Sequence, residues 1–249
     1  MTPDHHNRRE LPLSNRHGLI DTIIDNLAPV NRDGHKFIAI AAGLALLFFL
    51  IWPPLAWVCV IVALYIAYFF RDPDRVTPLR DGLIIAPADG RIAAIETVVP
   101  PTETGLGPEP RVRISTFLSV LDVHITRSPV SGRIARSIYI PGAFLNAALD
   151  KASEENERRV MIIEKPDRTE IGVVQIAGLI ARRIVPFTHE GDTVGVGERL
   201  GLIRFGSRVD VYLPPGRHAL VAVGQRATAG ETVLADLQST EAERVARRS

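Results

Sequence analysis

The chain has a single cysteine, Cys59, so it can hold neither an internal disulfide nor a metal site built from several cysteines. It also lacks an excess of charge of one sign, because 29 basic and 28 acidic residues give a formal net charge of +1. Without a basic surplus to neutralise phosphates, no nucleic-acid partner is predicted. Lysine is scarce, with residues only at 36, 151 and 165. A composition of 46% hydrophobic and 23% charged residues is that of a folded protein rather than a disordered chain.

The first 36 residues are polar and hold four of the seven histidines. The pair His5 and His6 suggests either a metal ligand or, more simply, a solvated tail. No ligand spacing recurs among the other histidines, so no metal site is predicted. Apolar residues at helical spacing within 19–27 predict a short amphipathic helix. That helix either lies on a membrane surface or packs against the rest of the protein.

A run of 34 residues, 37–70, contains no charged side chain. One helix of that length would measure roughly 50 Å, too long for a hydrocarbon core of ~30 Å. The sequence Trp52-Pro53-Pro54 divides the run, because proline disfavours a continuous helix. The arms, 37–51 and 55–70, predict a helical hairpin that either dips into one leaflet or crosses as two short helices. A buried hairpin of a soluble protein is the alternative, but neither arm has a polar face.

Both membrane arrangements put the two ends of the hairpin on the same side. Basic residues flank these ends, at Arg32, Lys36, Arg71, Arg75 and Arg80, and basic flanks predict the cytoplasmic side. The segment differs from a cleavable signal peptide, because its polar leader is long and no small-residue cleavage site follows it. The chain is therefore expected at the cell membrane, as a peripheral or monotopic protein on the cytoplasmic side.

The sequence changes character after residue 71. Alternating apolar patterns between Gly, Pro and Asp turns predict strands over 82–87, 91–99, 112–118, 132–140, 159–164, 170–177, 208–213 and 219–223. A helix is predicted over 144–151 and in a short C-terminal tail, and the proline-rich segment 100–110 is predicted to be an exposed loop. Residues 71–249 therefore predict a mainly β domain of the α+β class.

Two weak internal similarities favour a barrel-sandwich-like arrangement of short hairpins. The segment 89–93 resembles 131–135, and 191–200 resembles 224–233. Biotinyl and lipoyl carriers have such a fold, but a carrier needs a lysine at a hairpin tip. No lysine follows Lys165, so a carrier function is excluded while the β architecture remains.

A Gly-Ser pair at 206–207 stands between two strand-like segments, and alone it indicates only a turn or bulge. Other motifs precede it: Pro87-Ala88-Asp89-Gly90, Phe117-Leu118-Ser119, Asp122-Val123-His124, Pro129-Val130-Ser131-Gly132, Ile140-Pro141-Gly142 and Asn156-Glu157-Arg158. In this order the set resembles the phosphatidylserine decarboxylase proenzymes, a pyruvoyl-dependent family, over residues 71–225. The segment 204–210 is similar to the short bacterial and archaeal branch.

The resemblance implies self-processing. The Ser207 hydroxyl would attack the Gly206 carbonyl and convert the peptide bond to an ester, and elimination would then divide the chain. The mature protein would be a heterodimer of residues 1–206 and 207–249, with a covalent pyruvoyl group derived from Ser207 as its cofactor. Glycine suits position 206 because it lacks Cβ and adopts strained backbone shapes. Asp89 would belong to the processing machinery, where its usual partner is a histidine.

The chain departs from the family pattern at Arg127, where many members carry a second histidine. Arginine cannot serve as a base in proteins, so three ways of activating the serine stay open. Asp89 acts alone or through water, His124 performs both tasks, or His189 or His218 lies nearby in space; we favour the first two. Arg127 itself would bind the lipid phosphate or the substrate carboxylate, or form a structural salt bridge.

For turnover, the resemblance implies that the pyruvoyl carbonyl forms a Schiff base with the substrate amine and takes up the electrons left by CO₂ loss. His124 would be the general acid that returns a proton to that carbon. Further residues are expected at the substrate site: Phe144, Asn156, Glu157 and Arg158. Core packing and a solvated helix start are the alternatives for these residues.

The resemblance thus predicts a membrane-bound lyase that decarboxylates phosphatidylserine to phosphatidylethanolamine in phospholipid biosynthesis. The apolar hairpin fits an amphiphilic substrate, since an enzyme held at the interface meets its lipid by lateral diffusion. A decarboxylase for another amino head group is the nearest alternative. A membrane-anchored adaptor without catalysis is a second one, and it would leave Ser207 uncleaved. Whether the heterodimer forms a homo-oligomer stays open.

Overall fold

The computed structural model describes residues 28–142, 156–178, 183–204 and 207–241. Several predictions from the sequence fall outside these ranges. They are the amphipathic helix within 19–27, the helix over 144–151, and the two predicted site residues Phe144 and Gly206.

Two apolar helices begin the described chain, α1 (Arg32–Ile51) and α2 (Pro53–Phe69). Asn31 caps α1 by accepting a hydrogen bond from the amide two residues later. Trp52 separates the helices with an extended backbone, and Pro53 takes the first position of α2, where its missing N–H is not needed. The predicted division of the uncharged run into a helical hairpin is confirmed.

The hairpin exposes apolar side chains along most of its length. Ile40, Leu50, Trp57 and Leu64 are each at least 60% exposed, whereas the helices of a soluble core bury such residues. Of the described helices, α1 is long and apolar enough to cross a membrane, with a mean hydropathy of 2.0. α2 is apolar but shorter, at 17 residues. The exposed surface therefore suits a lipid environment.

The chain enters and leaves the hairpin at one place, which we call the hairpin base. Phe70 lies against Gly34 of α1, where an added Cβ would come within 2.7 Å of the phenylalanine, so glycine allows this close approach. The Asn31 amide donates to the Phe70 carbonyl (2.8 Å), and the Asp72 amide donates to the Pro29 carbonyl (2.7 Å). The two ends of the hairpin therefore lie next to each other, and their placement on one side of a membrane stays a prediction.

After the hairpin, the regular structure of the described chain consists of antiparallel strands and one 3₁₀ helix, Thr102–Thr104, joined by turns and loops. The strands are β1 (Leu83–Ile85), β2 (Gly90–Val98), β3 (Arg111–Leu118), β4 (Ile125–Arg127), β5 (Gly132–Ile140), β6 (Arg158–Glu164), β7 (Glu170–Ala177), β8 (Ile184–Pro186), β9 (Thr193–Val194), β10 (Arg199–Ile203), β11 (Ser207–Tyr212), β12 (Arg226–Ala227) and β13 (Val233–Asp236).

The strands form three sheets. An eight-stranded sheet has the order β12-β2-β3-β11-β7-β6-β5-β9, a three-stranded sheet has the order β4-β10-β8, and β1 pairs with β13. One face of the large sheet supplies Leu118, Val173 and Val209 to the main core, and the smaller sheets supply Leu200 and Leu234. The predicted fold class, mainly β with an N-terminal helical hairpin, is confirmed.

The strand prediction for 219–223 is wrong. Ala219 and Val221 are buried in the core, which explains the alternating apolar pattern, but the segment has no strand. It forms single hydrogen bonds instead, such as the one from the Leu220 amide to the Leu234 carbonyl. Four strands of only two or three residues were not predicted: β4, β8, β9 and β12.

The prediction of an exposed loop over 100–110 is wrong in part. Thr104 and Leu106 are buried, and Leu106 packs with Val160 and Tyr212 in a second apolar cluster. Because these strand residues lie on the face of the large sheet that points away from the main core, the loop covers that face and shields it from water.

Candidate active site

Ser207 is the first residue of β11, a central strand of the large sheet. It pairs with Leu118 and Ala177, each the last residue of its own strand, so it lies at one end of the sheet. The side chain is fully buried, and its hydroxyl has no hydrogen-bond partner among the residues that the structure describes. Burying an unpaired hydroxyl costs about 1–3 kcal/mol, so its presence here calls for an explanation.

Two more buried polar groups lie one row further along the same face of the sheet. Thr116 and Gln175 both pair with Val209, the core residue two positions after Ser207. Thr116 Oγ1 and Gln175 Oε1 also have no partner in the described part of the chain, while Gln175 Nε2 donates to Thr126 Oγ1 (3.0 Å). Neither residue was predicted from the sequence. The available signal for Gln175 was one polar residue within an apolar strand.

His124 is fully buried just before β4. Its Nδ1 lies 2.9 Å from the Asp122 carbonyl oxygen, and since a carbonyl only accepts, Nδ1 carries the hydrogen and Nε2 the lone pair. Burial lowers the pKa of His124 to about 4, against the opposing effect of the bond to the Asp122 carbonyl. The imidazole is therefore neutral at pH 7, in a form that accepts a proton at Nε2.

The backbone places His124 beside the chain that leads to Ser207. The Ile203 amide donates to the His124 carbonyl (3.1 Å), and Ile203 is the last residue of β10, four positions before Ser207. The structure therefore brings the predicted acid and the predicted nucleophile to the same end of the domain. Gly206 lies between them in the chain, outside the described residues.

Asp89 is held in the turn before β2. Its neighbour Gly90 has a positive φ of 150°, and a Cβ there would clash with the Phe117 carbonyl, so the motif requires glycine. The Asp89 carboxylate accepts hydrogen bonds at both oxygens, from Arg75 Nη2 (2.8 Å) and from the Ala229 amide (2.8 Å). Both oxygens of this carboxylate are therefore held by contacts within the fold.

Arg127 holds the segment that leaves the hairpin. Its guanidinium donates to the carbonyls of Gly197 (3.0 Å) and Pro73 (2.9 Å) and pairs with Asp72 (3.3 Å). Asp72 also accepts a hydrogen bond from Arg199 Nε (2.7 Å). These contacts favour the structural alternative, and substrate binding by Arg127 stays a prediction.

The Asn156-Glu157-Arg158 segment flanks Ala177, the neighbour of Ser207. Asn156 Nδ2 donates to the Ala177 carbonyl (2.7 Å), and the Ala177 amide donates to the Glu157 carbonyl (2.9 Å). Arg158 forms an ion pair with Glu103 (2.7 Å) in the loop that covers the sheet. The segment thus lies at the same end of the sheet as Ser207, and its role in substrate binding stays a prediction.

The other two candidate histidines are placed differently. The His189 side chain is 78% exposed and lies 4.0 Å from Asp192. His218 lines a surface cavity with Val112 and Glu96, at the end of the sheet opposite Ser207. Among the described residues, no group of three or more His, Cys, Asp or Glu side chains is arranged to hold a metal ion.

A buried serine that follows a glycine at the end of a sheet fits the class of enzymes that make their cofactor from an internal serine. A family model described as phosphatidylserine decarboxylase matches residues 62–235. A phosphatidylserine decarboxylase proenzyme from Cereibacter sphaeroides is 55% identical over 225 residues, 90% of this chain and 97% of that protein. One from Nitrobacter winogradskyi is 55% identical over 215 residues, 86% of this chain and 87% of that protein. The chain belongs to the phosphatidylserine decarboxylase family, and the resemblance noted in the sequence is confirmed.

Proposed function

We propose that this chain decarboxylates phosphatidylserine to phosphatidylethanolamine and CO₂, and that Ser207 is the residue that becomes its pyruvoyl group. The relatives that share 55% of their aligned residues with it are proenzymes of this activity. The observation that supports Ser207 is its buried hydroxyl at the start of β11, directly after a glycine and without a partner among the described residues.

The surroundings of Ser207 fit the implied group. A pyruvoyl group supplies an electrophilic carbonyl that binds the substrate amine and takes up the electrons released with CO₂. It is no larger than serine, so the space between Leu118 and Ala177 is sufficient for it. Thr116 Oγ1, on the same sheet face, would supply a donor for its carbonyl oxygen, and Gln175 Oε1 would supply an acceptor for the substrate amine.

His124 is the base that this site supports best for activating Ser207. Its Nε2 carries a lone pair at neutral pH, and its carbonyl accepts the Ile203 amide of the chain that leads to Ser207. Both oxygens of Asp89 accept hydrogen bonds, from Arg75 and the Ala229 amide. Ser207 Oγ and Nε2 are not hydrogen-bonded in the described structure, so the side chains would first have to approach. Nε2 would then take the proton from Ser207 Oγ as that oxygen bonds to the Gly206 carbonyl carbon. As the bond from that carbon to the Ser207 nitrogen breaks, Nε2 returns the proton to the nitrogen, so the transfer is balanced.

His124 Nε2 also acts in the decarboxylation reaction. The substrate amine is an ammonium ion in water and must lose a proton before it can react. His124 Nε2 would accept that proton and return it to the carbon that loses CO₂, which is the general-acid role predicted from the sequence. One buried imidazole thus performs both tasks, which removes the need for the histidine that Arg127 replaces.

The hairpin holds the enzyme at its lipid substrate. We assign residues 37–70 as the membrane hairpin and 71–249 as the catalytic domain. Basic residues at the hairpin base, Arg32, Lys36 and Arg71, support the cytoplasmic side of the membrane. Protease added to sealed vesicles tests this orientation: it should digest the β domain only in inverted vesicles.

Intact-mass measurement of the purified protein tests the proposal directly. We expect two chains divided after Gly206, the smaller one lacking a free amino terminus, and CO₂ release from phosphatidylserine but not from free serine. Ser207→Ala should give one chain and no CO₂. The matched variant Ser239→Ala, which changes a partly exposed serine of the smaller chain, should cleave normally. An active protein that remains a single chain would refute the assignment.

A further inference from the structure

The loop 119–122, between β3 and His124, exposes two adjacent apolar side chains. Val120 is 37% exposed and Leu121 is 58% exposed. Isolated apolar residues on a surface need no explanation. This pair differs from them because hydrogen bonds hold its loop in a closed turn and because the loop lies beside the hairpin.

The loop has a defined shape. The Asp122 carboxylate accepts hydrogen bonds from the Ser119 amide (2.8 Å) and the Ser119 hydroxyl (2.7 Å), and the Asp122 amide donates to the Ser119 carbonyl (2.9 Å). The other Asp122 oxygen pairs with Arg226. The two apolar side chains are therefore presented at the tip of a closed turn.

The loop is fastened to the hairpin through its backbone. Tyr65 Oη donates to the Val120 carbonyl (3.2 Å), and Arg71 Nη2 donates to the Leu121 carbonyl (2.8 Å). Tyr65 is about one turn before the end of α2, so the loop runs alongside the last ~6 Å of that helix. Val120 and Leu121 thus lie level with the hairpin base.

The hairpin base has the composition of a membrane–water boundary. Arg32 and Lys36 stand at the start of α1, and Arg71 follows α2 with its guanidinium 3.8 Å from the ring centre of Tyr68. Basic and tyrosine side chains concentrate at the interface, where an apolar body meets lipid and a polar end meets water. A hairpin inserted up to this level places the loop in the headgroup layer.

We propose that the loop 119–122 is a second membrane contact, in which Val120 and Leu121 enter the interfacial layer of a phospholipid bilayer beside the hairpin. The contact extends the membrane placement proposed above and rests on it. Because Asp122 both closes this loop and binds His124 Nδ1 through its carbonyl, the contact also sets the height of His124 relative to the lipid head groups.

Site-specific fluorescent labels test the proposal in the full-length protein, reconstituted in phosphatidylethanolamine–phosphatidylglycerol vesicles with or without lipids that carry a quencher high on the acyl chain. A label on Leu121→Cys, in a Cys59→Ala background, should be quenched at least twofold. A label on Val99→Cys is the matched control, because Val99 is equally exposed (58%) and lies at the opposite end of β2 from the site. The native Cys59 in α2, labelled alone, reports on the hairpin.

Each outcome either supports or overturns the contact between the loop 119–122 and the membrane. Quenching at 59 and 121 but not at 99 supports the loop contact. Quenching at 59 alone overturns the loop contact and leaves the hairpin in the membrane. No quenching at 59 overturns both, and equal quenching at 99 and 121 overturns a specific contact. Self-cleavage of each labelled variant shows that it is folded, and a label on Val120→Cys should repeat the result of Leu121→Cys.

A second measurement uses the reaction. Val120→Ser combined with Leu121→Ser should raise the apparent KM for phosphatidylserine in vesicles about tenfold and leave the rate on a short-chain, water-soluble phosphatidylserine unchanged. Val99→Ser should change neither. An equal loss on both substrates would mean that the loop serves the site rather than the membrane, and would overturn the proposal.

Discussion

The imidazole of His124 packs on the ring of Phe69, the last residue of α2, with ring centroids 4.4 Å apart. Both side chains are fully buried. The end of the membrane hairpin therefore forms one wall around the group that we assign as base and acid. This contact excludes water from the imidazole, and the resulting desolvation lowers the pKa of His124.

Replacing Phe69 should change the pH dependence of self-cleavage. Phe69→Ala admits water to His124, so the pKa of the imidazole should rise from about 4 towards its ordinary value of 6.5. Because the neutral form is the base, cleavage is lost as pH falls through this pKa, and the acid limb should move up by about one unit or more. Cleavage rates of freshly synthesised precursor between pH 4 and 8 measure the position of this acid limb.

Phe49→Ala is the control for this experiment, since Phe49 packs on Trp57 near the tip of the hairpin. It should leave the acid limb in place. An unchanged limb in Phe69→Ala as well would mean that His124 is not the base.

The buried neutral His124 should also make stability depend on pH. Between about pH 4 and 6.5 the unfolded chain binds a proton at this histidine and the folded chain does not. Stability is therefore full above pH 6.5 and falls as pH decreases towards 4, by about 3 kcal/mol in total for this group. Denaturant unfolding of Ser207→Ala, which stays one chain, should show this slope of the free energy of unfolding against pH.

Adding His124→Gln to that protein should reduce the slope over the same pH interval. Adding His218→Gln, which changes an exposed histidine, should leave it unchanged. Equal slopes with and without His124 would contradict the assigned pKa.

Thr116→Val separates a chemical role from a structural one. The Thr116 hydroxyl has no partner among the described residues, so its loss should leave the free energy of unfolding unchanged or slightly higher. If Thr116 donates to the reacting carbonyl, cleavage or turnover should slow about tenfold or more. Unfolding curves and single-turnover rates together measure the two effects.

Thr126→Val provides the contrast, because Thr126 accepts the bond from Gln175 Nε2. It should cost about 1 kcal/mol of stability. A Thr116→Val protein that loses stability without losing rate would show that its hydroxyl is structural.

Arg127→Met tests whether Arg127 acts in structure or in catalysis. It removes contacts to Asp72, Pro73 and Gly197, so we expect a loss of about 1–3 kcal/mol of stability. Cleavage should persist, because Asp72 keeps its bond to Arg199 and His124 is untouched. Arg168→Met, at a side chain that is 87% exposed, should cost less than about 0.5 kcal/mol. A selective rise in KM in Arg127→Met would instead support substrate binding.

Local patterns in the sequence were sufficient for the hairpin and the longer strands. Two prolines in an uncharged run break a helix wherever the rest of the chain lies, and strands such as β5 and β7 carry enough alternating or apolar residues to be recognised. The short strands β4 and β8 were not recognisable. They form only because both pair with β10, and the residues of β4 lie about 75 positions before their partners.

The sequence by itself determined the family and the hairpin and predicted the reacting serine, because motif order, charge and apolar runs are properties of the chain alone. Only the tertiary structure decided what the neighbouring groups can do. It bound Asp89 and Arg127 in ion pairs, buried His124 under Phe69, and left the Thr116 and Gln175 oxygens, which share a sheet face with Ser207, without partners in the described chain. Burial and hydrogen bonding between distant segments set the protonation and availability of these groups, and no local pattern encodes them.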